Sequence, residues 1–249
     1  MSRRNPFDAP EVASRRGGPV KAPLSRDAIV VEALRQITAN GIKDTSLRKV
    51  AAALDTGPAT LYAYVHDLEE LHALVLDRAL AKVRLPARMR SSGWRNRLVS
   101  TLDSYARVLS ASPGLAQLAF GRAAVGPNAL RITEALLSLL DEGGVNTATG
   151  AWAVDLLMLY VTAVVAEHTG GFDPAAPQGK VARAIAGASE REHPRIFAAR
   201  AHLLSGTGEA RFAWAIDVLL QGILEASRSS QTKASRASAR SQPGRRRTL

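Results

Sequence analysis

The sequence contains no cysteine, which excludes a disulfide framework and thiol-based metal or redox chemistry. Aromatic residues make up only 5% of the 249 residues, whereas 46% are hydrophobic, so the core must be mainly aliphatic. No apolar run follows the basic start MSRRNPFDAP, so we expect no secretory signal. The longest apolar stretch, residues 151–166, is interrupted by Asp155 and is too short to span a bilayer. We therefore expect a buried helix there and no membrane partner.

Acidic residues are scarce at the two ends of the chain. Residues 1–24 hold five Lys or Arg against two acids, and residues 226–249 hold seven and no acid. The ends contribute +3 and +7 to a net charge of +11, and the body only +1. We predict a flexible basic tail over 1–23 and a disordered basic tail over 228–249. Such tails suit nonspecific contact with a polyanion, although a purely solubilising role remains the alternative.

The sequence also lacks the regular alternation of apolar and polar residues that is typical of β-strands, and it therefore predicts an all-α fold. Ser25 is a good N-cap for a first helix that carries Ile29, Ala33 and Ile37 on one stripe and ends at Asn40-Gly41. The longer C-terminal helices are predicted over 92–111, 115–122, 127–141, 147–168, 192–204 and 208–227. The Gly- and Pro-rich segment 169–190 is expected to be a mobile loop with one or two helical turns in VARAIA.

Two short helices joined by a tight turn follow the first helix. The second helix starts at Thr45 or Ser46, and its arginine and lysine point away from its apolar face. Residues 55–57 form the turn, and Pro58 takes the first helical position, where its missing N–H costs nothing. Asp67 and Glu70 then form an acidic capping box that starts a helix running to about residue 84. This arrangement is that of a helix-turn-helix. In that motif the helix after the turn, here the one that starts at Pro58, enters the major groove of DNA.

The particular letters of this region are more specific than the pattern. SRDAIVVEALRQITANG, TSLRKVAAAL, TLYAYV and HDLEELHALVLD occur in this order, and together they resemble the TetR family of bacterial transcriptional repressors. The resemblance implies a three-helix helix-turn-helix DNA-binding domain with a linking helix over 24–84. It also implies a larger helical domain over 85–227 that binds an effector and dimerises. There only the general layout matches, with FAWAIDVLLQGILEA resembling the family's dimerisation helix.

The resemblance also implies the residues that contact DNA. They lie on the second and third helices and are Thr45, Ser46, Arg48, Lys49, Pro58, Ala59, Thr60, Tyr62 and Tyr64. Arg48 is the best candidate for a guanine edge, because its guanidinium matches O6 and N7 bidentately. Tyr62 matches the family's phosphate-contacting tyrosine, and Tyr64 occupies a position that is usually polar and near the DNA backbone. A solvated charge for Arg48 and packing against neighbouring helices for the two tyrosines are the alternatives.

Three positions depart from the family's pattern. Asp55 replaces the usual glycine of the turn, and Asp tolerates the left-handed conformation better than most residues. Gly57 replaces the usual Ser or Thr cap, at a cost of a few tenths of a kcal/mol. Leu68 stands where a lysine is frequent, so one expected phosphate contact is missing. We expect the turn to survive these changes.

For the C-terminal domain, the sequence offers candidates for a ligand pocket and little evidence of catalysis. Candidate lining residues are Trp94, Tyr105, Phe120, Trp152, Met158 and His168. Because few polar groups accompany them, we expect a mainly apolar effector. The histidines show no metal-ligand spacing, and SGTGEAR lacks the third glycine of a dinucleotide fingerprint. We therefore predict neither an enzyme nor a metal or other cofactor.

The resemblance implies a cytoplasmic homodimeric repressor that a small effector releases from a palindromic operator in double-stranded DNA. The helices 147–168 and 208–227 are apolar on more than one face, which favours a dimer built through them. A protein that packages nucleic acid nonspecifically through its basic tails is the competing hypothesis. A discrete footprint on a palindrome would separate the two.

Overall fold

The computed structural model describes residues 5–8, 24–86, 93–120, 125–169 and 176–240, and these form helices and turns without a strand. The prediction of an all-α protein is confirmed. The helices of the described residues are α1 (Arg26–Asn40), α2 (Leu47–Ala53), α3 (Pro58–Leu61), α4 (Leu68–Leu80), α5 (Trp94–Ser110), α6 (Pro113–Phe120), α7 (Pro127–Glu142), α8 (Thr147–Thr169), α9 (Ala176–Ala186), α10 (Pro194–Leu203) and α11 (Gly208–Arg240).

The first four helices share one small core. Ser25 caps α1 as predicted, its Oγ accepting a hydrogen bond from the Ala28 backbone N at 3.1 Å. The predicted stripe of Ile29, Ala33 and Ile37 is fully buried. Gly41 ends the helix at a φ of 83°, a conformation that side-chain-bearing residues rarely adopt. Local signals therefore set the bounds of α1, and burial of its stripe fixes its orientation.

The C-terminal helices form a second core around α5, α7 and α8. Leu98, Leu102, Ile132, Leu136 and Leu157 are fully buried in it. By length and composition alone α8 could cross a membrane. In this fold, however, α8 packs against α5, α6, α7 and α11, and its buried face belongs to the core. The expectation of a buried helix therefore holds for that face of α8.

The two groups of helices meet at two close contacts. At the first, α6 packs on α1: a Cβ added at Gly114 would lie 2.7 Å from Ile37 Cγ2, and Ser112 Oγ donates to the Ile37 carbonyl at 3.3 Å. At the second, α4 packs on α7 through Asp77, which is buried. Only glycine at position 114 lets α6 approach α1 this closely. The hydrophobic periodicity of the two helices does not reveal such a contact, because it depends on a residue without a side chain.

The structure corrects three predictions about the less apolar segments. The loop predicted over 169–190 contains the eleven-residue helix α9. The last helix does not end at 227, because α11 continues to Arg240, and the segment 228–240 is helical rather than disordered. No glycine or proline interrupts that Ser-, Ala- and Arg-rich stretch before Pro243. The remaining residues of that predicted tail, 241–249, lie outside the described residues.

The N-terminal tail is only partly described. Within it, Pro6–Asp8 form a turn of 3-10 helix, and Phe7 packs against the core next to α4. The prediction of a flexible tail is therefore wrong for residues 6–8. The rest of the predicted segment, residues 1–4 and 9–23, lies outside the described residues.

Candidate DNA-binding surface and ligand cavity

The second and third helices are held in a helix-turn-helix geometry by local backbone signals. Ser46 Oγ accepts a hydrogen bond from Lys49 N at 3.3 Å and caps α2. Asp55 turns the chain with a φ of 49°, as its position in the turn predicts. Gly57 is extended and offers no side-chain cap, and Pro58 starts α3 directly after it. The turn therefore survives both departures from the family's usual residues.

One face of α2 and α3 presents polar and small residues to solvent. Arg48, Lys49, Pro58, Ala59 and Thr60 are exposed, and the Tyr62 side chain is 57% exposed. Leu61 on the opposite side of α3 is fully buried and anchors the helix. The six exposed residues form one candidate DNA-binding surface, which we define as the α2–α3 face.

Three predicted DNA contacts do not belong to this face. Thr45 is buried and its Oγ1 donates to the Gly41 carbonyl at 3.1 Å, so its hydroxyl closes the α1–α2 connection. Tyr64 is only 8% exposed and packs in the core between the helices. Ser46 is half-buried and serves as the cap of α2. The periodicity of a helix as short as α3 could not fix which tyrosine turned inward, because the regular helix ends at Leu61.

Charged contacts join α1 to α4 behind the α2–α3 face. Arg26 bonds to Glu70, and Arg78 bonds to Asp27. Asp67 caps α4 by accepting from Glu70 N at 2.7 Å, and Glu70 in turn accepts from His66 N at 2.8 Å. The predicted capping box therefore forms, with its return bond shifted by one residue. These contacts fix α4 against α1, and α1 in turn packs on α2.

A cavity of about 760 Å³ lies between α5, α8 and the start of α11. Its apolar wall comes from all three helices and comprises Val99, Ala106, Val164, Val165, Phe212, Ala213 and Ile216. Phe212 also stacks on Tyr160 with ring centroids 5.9 Å apart. A volume of this size falls in the range of small-molecule sites. This cavity is the candidate ligand site of the C-terminal domain.

Charged groups line the same cavity. Asp103, Glu209 and Asp217 contribute carboxylates, and Arg107 contributes a guanidinium. Asp217 is paired with Arg95 at 2.8 Å. The lining is therefore mainly apolar, as expected, but it includes charged groups that the sequence did not predict. Sequence reasoning missed these residues because a charged position on a helix looks like a solvated face until the neighbouring helices are placed.

Of the six predicted ligand residues, only His168 lines this cavity. Trp152 and Phe120 are exposed, at 83% and 58%. Trp94 packs its ring against α7's C-cap, where a Cβ added at Gly143 would lie 2.7 Å from Trp94 Cε2. Met158 is half-buried against the core. Aromatic type alone did not identify the lining residues, because lining depends on the direction in which each side chain points.

Tyr105 is a core residue rather than a cavity residue. Its hydroxyl shares a hydrogen bond with Thr162 Oγ1 at 2.8 Å, and burial raises the pKa of the Tyr105 phenol. The Thr162 bond opposes this rise in pKa by favouring the ionised form. The pair ties α5 to α8 beside the cavity without lining it.

We expect Tyr105→Phe to lower the free energy of unfolding by about 1–2 kcal/mol, because Thr162 loses a buried hydrogen-bond partner. Ligand affinity should change less than about twofold, since the ring itself remains in place. Urea denaturation measures the first effect and calorimetric titration of any ligand the second. A loss of ligand affinity without a loss of stability would contradict this prediction and indicate that Tyr105 contacts the ligand.

An apolar surface runs along α8 and α11 on the outside of the described fold. It consists of the exposed side chains Trp152, Leu156, Leu159, Trp214 and Val218. Trp152 and Trp214 are the most exposed of these, at 83% and 69%. We call this set the α8–α11 face. Large exposed apolar side chains on two helices that pack together are typical of a protein interface.

Comparison with known proteins supports both halves of this description. A family model described as the tetracyclin repressor-like C-terminal domain matches residues 85–227. A helix-turn-helix transcriptional regulator of Saccharopolyspora erythraea is 33% identical over 139 residues, 56% of this chain and 57% of its own. The repressor DrrR1 of Streptomyces coeruleorubidus is 33% identical over 141 residues, 57% of this chain and 52% of its own. The chain thus spans little more than half the length of these curated relatives.

Solved structures match over a larger share of the chain. The transcription regulator SCO7704 of Streptomyces is 39% identical, with a TM-score of 0.67 over 82% of this chain and 96% of its own. ActR of Streptomyces coelicolor in complex with actinorhodin is 29% identical, with a TM-score of 0.76 over 83% of this chain and 99% of its own. The matched proteins are regulators of transcription with the same helical fold.

Proposed function

The chain belongs to the TetR family of transcriptional regulators, and we propose that it is a homodimeric repressor that a small molecule releases from a palindromic DNA operator. The α2–α3 face is the observation that carries the DNA-binding part of this proposal. It is exposed, begins at a helix N-terminus and presents Arg48, Lys49, Thr60 and Tyr62 together. The buried residues of α2 and α3 already hold both helices to the core. The exposed face is therefore not needed for folding and is available for a partner.

Each residue of the α2–α3 face has a distinct role in this proposal. Arg48 reads a guanine through two hydrogen bonds, while Lys49 and Tyr62 contact phosphates. Pro58 and Ala59 let the start of α3 approach the groove closely, and Thr60 adds a hydroxyl and a methyl group. Lys49 Nζ lies 3.7 Å from Asp44 Oδ1, so this lysine must exchange a weak surface ion pair for a phosphate. The basic tails add long-range attraction.

The homodimer forms through the α8–α11 face in this proposal. Two copies of α8 and α11 would give a four-helix interface with two-fold symmetry and bury the exposed tryptophans. The two recognition helices would then lie roughly 34–36 Å apart and enter successive major grooves. Such a protein acts on the chromosome, so we place it in the cytoplasm.

Effector control follows from the position of the cavity. Its walls come from α8 and α11, which also carry the proposed dimer face, and from α5, which packs on α4 of the DNA-binding domain. A ligand that fits the cavity better in one arrangement of these helices shifts the dimer toward that arrangement. The operator complex is weakened by the ligand's differential affinity for the two states. ActR, whose structure contains actinorhodin, provides a precedent within the family.

We expect Arg48→Ala to weaken binding to the operator by about 1–3 kcal/mol, or roughly 5- to 150-fold, at fixed salt. Fluorescence anisotropy on an operator selected from random duplexes measures the change. Arg183→Ala removes an exposed arginine of α9, which lies outside the α2–α3 face and the basic tails, and is the matched control, with less than a twofold effect expected. An equal loss on operator and on unrelated DNA would instead make Arg48 a phosphate contact.

A further inference from the structure

We propose that the cavity between α5, α8 and α11 selects an apolar ligand that carries a positive charge, and that Asp103 pairs with that charge. This inference rests on the proposed function, because it names the chemical class of the effector. It narrows the expectation of a mainly apolar effector to one that carries a positive charge.

The cavity can accommodate the apolar body of such a ligand. Its volume of about 760 Å³ exceeds the needs of a single small ring, and Val99, Val165, Phe212 and Ile216 face it from three helices. Because these side chains belong to different helices, the ligand body would contact all three walls at once. The apolar wall therefore limits the size of the ligand, and the charged residues determine the sign of the ligand's charge.

Two of the three carboxylates that line the cavity are not neutralised by the protein. Asp217 is satisfied by Arg95 at 2.8 Å. Within the described part of the chain, the carboxylates of Asp103 and Glu209 make no hydrogen bond or ion pair. Asp103 is half-buried and stands beside Val99 and Ala106 on α5, so its charge is less screened than a fully exposed one. A cationic ligand would supply the partner that Asp103 lacks.

The two groups of the cavity that could favour an anion are turned toward the backbone. Arg107 lies one turn after Asp103, yet its Nε donates to the Asp103 backbone oxygen at 3.3 Å rather than to the carboxylate. The His168 Nδ1 lies 2.6 Å from the Val164 carbonyl, to which it donates. With Nδ1 engaged by the backbone, only Nε2 of His168 remains for a ligand. An anion in the cavity would be repelled by the carboxylates of Asp103 and Glu209. Only the remaining N–H groups of the Arg107 guanidinium could offset this repulsion.

Tetraphenylphosphonium and tetraphenylborate test the proposal, because they have nearly the same size and shape and opposite charges. We expect Asp103→Asn to weaken tetraphenylphosphonium binding about tenfold and to leave tetraphenylborate binding equal or tighter. Asp141→Asn removes an exposed carboxylate of α7 outside the cavity and should change neither. Isothermal titration calorimetry of the full-length protein without DNA measures both affinities. Circular dichroism confirms that each variant is folded.

The proposal is overturned if the protein does not bind tetraphenylphosphonium, or if Asp103→Asn keeps the original affinity for it. It is also overturned if Asp103→Asn weakens both probes equally, since this would indicate loss of shape rather than of charge. Operator release is measured separately by anisotropy. Charge-dependent binding that leaves the operator complex intact would support the cation site and count against the proposed effector mechanism.

Discussion

Replacing Trp152 and Trp214 by glutamate is expected to convert the protein from a dimer to a monomer and to abolish high-affinity operator binding. Both indoles project from the described fold, at 83% and 69% exposure. Burial of a tryptophan at an interface stabilises it by about 3 kcal/mol, and two-fold symmetry doubles the loss for each substitution. Even Trp152→Glu alone should therefore weaken dimerisation by about 6 kcal/mol, or more than 10⁴-fold.

Operator binding should fall with dimerisation because a monomer can engage only one half-site. The gain from linking two half-site contacts is then lost, which costs two or more orders of magnitude in affinity. Analytical ultracentrifugation measures the assembly and anisotropy the DNA affinity. Leu130→Glu is the matched control, since Leu130 is an exposed leucine of α7 outside the α8–α11 face. A dimer that survives both tryptophan substitutions would place the interface elsewhere.

Replacing Asp77 by alanine is expected to lower the free energy of unfolding by about 3 kcal/mol. This buried carboxylate of α4 accepts hydrogen bonds from Asn128 N at 2.9 Å, Ala129 N at 3.0 Å and Asn128 Nδ2 at 2.8 Å. It therefore caps the first turn of α7 from another helix. Alanine would leave these donors without a partner in a buried place, so the loss exceeds that of an ordinary exposed cap.

The cap works in both directions. Arg131 of α7 donates from Nη2 to the carbonyls of Leu80 and Val83, at 3.4 and 3.1 Å, and so satisfies the end of α4. Each helix thus caps a terminus of the other, and the DNA-binding and ligand-binding halves are joined through hydrogen bonds of fixed direction. A Cβ at Gly126 would clash with the Asp77 carboxylate, so Gly126→Ala should displace this cap and destabilise the protein.

Urea denaturation followed by circular dichroism measures the effect of Asp77→Ala. Asp77→Asn keeps an acceptor for the two backbone donors and should recover part of the loss, whereas the exposed Asp141→Ala should cost less than about 0.5 kcal/mol. A loss below about 1 kcal/mol for Asp77→Ala would mean that α7 does not depend on this cap.

Residues whose role depends on local chain geometry could be predicted from the sequence. Ser25, Asp55 and Asp67 act in the structure as a cap, a left-handed turn residue and a cap, because each effect reaches only two or three residues along the chain. The buried stripe of α1 was predictable for the same reason, since helical periodicity is a local property. The family of the protein could be predicted from the order in which these caps, turns and apolar stripes occur along the first 84 residues.

Residues whose role depends on the approach of distant helices could not be predicted. Tyr62 and Tyr64 look equivalent in the sequence, yet only Tyr62 is exposed, because the irregular end of α3 turns Tyr64 into the core. Likewise, Trp152 was predicted to line a pocket but is exposed, whereas Asp103, which the sequence did not single out, lines a cavity.

The sequence by itself determined the all-helical fold, the helix-turn-helix and most of the residues of the α2–α3 face, because periodicity, capping and turn chemistry act over a few residues. Only the tertiary structure decided the ligand cavity, its carboxylates and the Asp77 cap. These depend on groups that lie more than 50 residues apart in the chain, such as the Asp77 carboxylate and the Ala129 backbone N–H, or the side chains of Val99 and Phe212. Their approach is set by how whole helices pack, and no local pattern encodes the direction in which a packed side chain points.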